Sequence, residues 1–165
     1  MIRLEISFFL LLSIVFASCS VERPYPWLED LDANKEYLDS GKNLMAVKFG
    51  LNPLEIKKNT ENNLLIAVHG SNSKGYEWIY PLQTLDNEET LTLFFRWNDA
   101  GCPNPSFVIL NEEINKILKE NKNVNNITIL GHSYGALLVS MFSERWINEI
   151  PVDIHAIAGP LAGIS

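Results

Sequence analysis

The chain has 165 residues, 47% of them apolar, which is enough for one domain with a real core. Its formal net charge is −7 and no Lys/Arg cluster is visible, which argues against nucleic acid or other polyanions as partners. Two cysteines and three histidines stand at no metal-ligand spacing, so neither a metal nor an organic cofactor is expected.

The first segment, Met1 to Ser18, reads MIRLEISFFLLLSIVFAS, with a cation at Arg3 and an apolar stretch of 12 residues from Ile6 to Ala17. A bilayer span takes about 20 apolar residues, so this length suits a secretory signal rather than an uncleaved membrane or core helix. Glu5 departs from the usual net-positive start. Phe16-Ala17-Ser18-Cys19 resembles a bacterial lipobox, with Phe16 where leucine is usual. The plain alternative is ordinary cleavage near Ala17 with Cys19 a spectator. The lipobox resemblance implies acylation of Cys19 and stable anchoring to a membrane. Ser20 in place of an aspartate after Cys19 implies the outer membrane, facing the periplasm. Residues 1–18 are thus read as a signal peptide, 19–40 as a lipidated tether and 41–165 as the folded domain. The tether is Pro-rich and acidic from Val21 to Asp39, leading into irregular structure or a short helix.

Further along, apolar runs alternate with amphipathic stretches. Leu64–Val68 is a continuous apolar run ending in His69-Gly70, the pattern of a strand buried on both faces. Tyr76–Leu85 predicts a helix with Trp78, Ile79, Leu82 and Leu85 on one side. Leu91–Phe95 is a second buried strand, ending in Arg96-Trp97-Asn98-Asp99. A helix starts at Asn104-Pro105-Ser106, with the proline in the first turn and Val108, Ile109, Ile114, Ile117 and Leu118 as its apolar face. After the polar connector Asn121–Asn126 come a strand at Ile127–Leu130, a helix over Tyr134–Trp146 and a strand at Asp153–Ala158. Buried strands alternating with helices predict parallel β-α-β units.

Between the third of these strands and its helix stands Gly131-His132-Ser133-Tyr134-Gly135, which fits G-x-S-x-G. Such a serine sits on a sharp, strained turn, and glycines at both flanks remove Cβ atoms that would collide with the strand and the helix. The exposed hydroxyl then lies over a helix N-terminus, which favours negative charge. With His69-Gly70 after the first strand, the stretch from Leu64 to Gly159 resembles the α/β-hydrolases, closest to bacterial lipases and esterases. The tail Ile157–Gly163 also looks like the loop after the next strand of such lipases.

That resemblance implies an α/β fold, a three-layer α/β/α sandwich around a mostly parallel sheet, with the four strands in spatial order 2-1-3-4. It implies Ser133 as nucleophile, and the backbone N–H groups of Ser71 and Tyr134 as an oxyanion hole. Each such donor is worth about 3–4 kcal/mol when removed. His69 and Gly70 would shape the loop, with Gly131, His132 and Gly135 supporting the turn. The substrate would be a small-molecule or lipid ester. An acyltransferase or thioesterase would use the same elbow with a different acceptor.

The family's triad runs serine, acid, histidine in chain order. After Ser133 the acidic residues are Glu144, Glu149 and Asp153, and the one histidine is His155. Glu144 and Glu149 lie along or beyond the helix leading away, and Asp153 falls at the wrong end of its strand. His155 is about three residues short of the carboxyl end, roughly 10 Å from the site, and reads as a core or helix-packed residue. Asp99 reads as a solvated loop residue or a cap for the following segment. The expectation is a fragment or truncated form of a longer hydrolase, with the leftover Cys102 awaiting a partner elsewhere. The rival from another class is a non-catalytic envelope lipoprotein.

Overall fold

The computed structural model describes residues 35–55 and 61–161. The signal segment and Cys19 lie outside the described residues. The secondary structure comprises α1 (Lys35–Met45), β1 (Gly50–Pro53), β2 (Asn63–Val68), α2 (Tyr76–Leu85), β3 (Thr90–Arg96), α3 (Pro103–Glu120), β4 (Asn126–His132), α4 (Tyr134–Arg145) and β5 (Val152–Ile157). The first helix, Lys35–Met45, crosses residue 40.

The strands form one mixed sheet in the order β1-β3-β2-β4-β5. Four of them are parallel, and β1 alone runs antiparallel, pairing Gly50 with Arg96 and Pro53 with Leu93. The parallel strands follow the expected order. The edge strand β1 went unseen because Gly-Leu-Asn-Pro has no apolar alternation and ends in a proline, a residue that sheets accept at their edges. A carboxylate from another element holds it, since Leu51 N–H donates to Glu113 of α3.

Both faces of the central strands are buried, as continuous apolar runs require. On one face Leu64, Ile66, Val68, Leu93, Phe95, Ile127 and Ile129 pack with Leu110, Ile114 and Leu118 of α3 and Leu138, Val139 and Phe142 of α4. On the other, Leu65, Ala67, Phe94 and Leu130 meet Leu44 of α1 and Trp78 and Leu82 of α2. Fully burying one such side chain stabilises the fold by about 1.5–3 kcal/mol.

Four side chains sit differently from the sequence reading. In α3 the buried stripe is Ser106, Leu110, Ile114 and Leu118, a spacing of four, and this turns Val108 and Ile109 to solvent. Leu85, the last residue of α2, is 47% exposed, because the helix ends before covering the β4–β5 side of its face. His155 is exposed for the same reason. With Pro81, Leu85, Leu130 and Ile157 it lines an apolar trough of about 540 Å³ rather than packing in the core. No helix among the described residues is long and apolar enough to cross a membrane.

Candidate active site

The chain turns from β4 into α4 at Ser133, with φ 51° and ψ −120°, a conformation costing of order 1–3 kcal/mol for a residue with a Cβ. Two backbone bonds hold the turn. Ser133 N–H donates to Ile157 O at 2.9 Å, and Ser133 O accepts from Ala136 N–H at 2.9 Å. Neighbouring glycines supply the room. A Cβ at Gly131 would lie 2.6 Å from Val139 Cγ2 and 2.7 Å from Gly135 O. A Cβ at Gly135 would press on Val68 O and stand 2.5 Å from His69 O, so the first turn of α4 packs directly on the end of β2.

The segment after β2 approaches the same serine. A Cβ at Gly70 would be 2.9 Å from Ser133 Cβ and 2.9 Å from His132 O. His69 is fully buried and fixes this segment. Its Nδ1 lies 2.8 Å from Gly70 O, an acceptor, so Nδ1 carries the proton. Nε2 then accepts from Trp97 N–H at 3.2 Å and faces Arg96 Nη1 at 3.1 Å. Burial pushes the His69 pKa below its ordinary value, with the Arg96 charge acting the same way against the opposing bond to Gly70.

These bonds orient the next amide. The Gly70–Ser71 peptide is trans, so its N–H points opposite to its carbonyl. With Gly70 O turned to the buried His69 ring, Ser71 N–H is directed away from the core. Among the described residues it takes part in no hydrogen bond. Tyr134 N–H, first in α4, has no intrahelical acceptor either. The Tyr134 ring packs on Trp97 with centroids 5.3 Å apart, and its hydroxyl donates to Gly101 O at 3.2 Å.

Strain gathers at this edge of the sheet. Among the described residues, the non-glycine residues with positive φ are Ser133 and Ala158, each directly after a parallel strand, and Asn72, in the loop that follows β2. Ligands of open α/β sheets bind at that edge. Asp99, placed in sequence as a solvated residue or local cap, instead accepts Asn72 N–H at 2.6 Å across the two loops.

The groups usual for activating a serine are elsewhere. No hydrogen bond joins Ser133 Oγ to a histidine among the described residues. Both ring nitrogens of His69 are engaged, and His132 has its Nδ1 against Gly70, 3.3 Å from where a Cβ would stand. His155 pairs with Leu130, three positions before Ser133, and Asp153 pairs with Thr128, further from the site. Glu144 and Glu149 are exposed at the far end of α4 and beyond it, and Cys102 is an exposed thiol at the start of α3. Among the described residues no group of three His, Cys, Asp or Glu side chains is placed to hold a metal ion.

No protein-family model matches the sequence, and no curated protein matches it. Among solved structures, a lipase-esterase related protein from Clostridium acetobutylicum is similar at 17% identity and a TM-score of 0.40. The match covers 63% of this chain and 45% of that one, so it spans less than half of that protein's length.

Proposed function

We propose that the chain carries the nucleophile elbow of a lipase/esterase-like serine hydrolase, on a partial α/β-hydrolase fold with a three-layer α/β/α arrangement. The observation that carries this reading is Ser133 itself, a non-glycine residue held at φ 51° between a parallel strand and a helix N-terminus. Ser133 Oγ attacks the carbonyl carbon of a carboxylic ester while its proton passes to a base. Negative charge on the carbonyl oxygen is met by the N–H groups of Ser71 and Tyr134. The alcohol leaves, and water then hydrolyses the acyl-serine. Among the described residues, neither His69, with both ring nitrogens engaged, nor His155, three positions below Ser133, is placed to act as that base. Anchoring through an acylated Cys19 at the bacterial outer membrane, facing the periplasm, completes the proposal and is supported by the lipobox-like Phe16–Cys19.

A second reading, a non-catalytic envelope lipoprotein on the same fold, is favoured by one observation. Both nitrogens of the histidine nearest the oxyanion loop are committed to structural partners. Hydrolysis of p-nitrophenyl butyrate by the wild type and Ser133→Ala separates the two. Turnover that vanishes in the variant supports the hydrolase. Equal rates in both, or none above background in a folded sample, favour the second reading.

A further inference from the structure

The turn Trp97–Cys102 between β3 and α3 reaches one partner of the proposed oxyanion hole, Tyr134, and the residue next to the other, Asn72. On one side the Trp97 ring and Gly101 O hold the Tyr134 side chain, next to the elbow. On the other, Asp99 Oδ2 accepts Asn72 N–H at 2.6 Å. The turn is braced internally, with Ala100 N–H donating to Asn98 Oδ1 at 3.3 Å. Asn72 adopts φ 55°, a left-handed conformation that asparagine tolerates better than most residues. The two peptide units flanking Ser71 are therefore both tied down. Gly70 O is bound by His69 Nδ1–H, and Asn72 N–H is bound by Asp99.

Resting on the reading of Ser133 as nucleophile, we infer that Asp99 is a positioning residue, one that sets the Ser71 amide in register with Ser133. The carboxylate works through its acceptor oxygen and not its charge. A negative group beside a developing oxyanion opposes it, so the arrangement makes sense only if the geometry gained outweighs that repulsion. An isosteric neutral acceptor should serve as well or better.

The test compares the wild type, Asp99→Ala and Asp99→Asn by the rate at which a fluorophosphonate labels Ser133, read by intact mass. The amide proton shift of Asn72 is followed by NMR in the same samples. Asp99→Ala should label roughly ten-fold or more slowly, since small misplacements of a catalytic group are costly, and its Asn72 amide proton should move upfield. Asp99→Asn should keep the downfield amide and label at the wild-type rate or faster. A role in stability alone would leave the labelling rate unchanged in folded samples, while the Asn72 amide would still report loss of the contact. Unchanged labelling in Asp99→Ala overturns the inference, as does an equal loss in Asp99→Asn, which would assign the effect to charge. A wild type that is not labelled at Ser133 removes the nucleophile reading instead, and the Asn72 shift then reports the contact by itself.

Discussion

At the scale of single residues, His69 joins the ends of β2 and β3 to the loop beside Ser133. Its neutral ring is required by its partners, because Nδ1–H donates to Gly70 O while Nε2 accepts from Trp97 N–H. Protonating Nε2 would set a cation against Arg96 and break the bond to Trp97 N–H. The consequence for stability has a definite sign. The folded pKa lies below the ordinary 6.5, so under acidic conditions the unfolded chain takes up a proton that the fold resists. Stability contributed by neutral His69 is complete above about pH 6.5 and is lost as pH falls from there toward the lowered folded value. Within that window the loss is up to about 1.4 kcal/mol per pH unit. Urea unfolding between about pH 7.5 and about pH 5.5 checks this. His69→Gln should be less stable than the wild type at the upper pH, yet show a shallower decline on acidification. Parallel slopes in the two proteins would contradict the assignment.

At the scale of elements, the β4–Ser133–α4 unit depends on how closely α4 meets β2. The Gly135 position leaves no space for a methyl group between backbone atoms of Val68 and His69, and neither carbonyl belongs to a flexible side chain. Gly135→Ala should therefore cost roughly 3 kcal/mol or more, read as a lower urea midpoint. A change within about 0.5 kcal/mol would show that the helix slides freely on the strand. The strand–turn–helix unit around Ser133 is legible in the sequence because its glycines, serine and flanking apolar runs are contiguous. The parallel strands were legible because burial on both faces leaves uninterrupted apolar runs. Other features depend on partners distant in the chain. The bond between Asn72 and Asp99 spans 27 positions, and that from Leu51 to Glu113 spans 62, so no local pattern announces either. On α3, Val108 and Ile109 are apolar yet stand off the four-residue spacing that meets the sheet, so composition alone places them in the stripe.

At the scale of the whole folded region, the two faces of the sheet are covered unequally. The α3–α4 face packs along β3, β2 and β4, with Val152 and Ile154 of β5 against its margin. The α1–α2 face covers β2, β3 and Leu130 of β4 and leaves Thr128, His155 and Ile157 lining an apolar trough. His155 looks like a core residue in sequence because it lies in a strand, and only the extent of α2 reveals that nothing described covers it. At the carboxyl edge, the left-handed residues Asn72, Ser133 and Ala158 follow β2, β4 and β5. The proposed role of Ser133 as nucleophile is the central claim, and fluorophosphonate labelling read by intact mass and peptide mapping tests it most directly. The account predicts a single adduct, mapped to Ser133 and absent from Ser133→Ala. A folded wild type that takes up no label, or labelling that persists unchanged in Ser133→Ala, would contradict it.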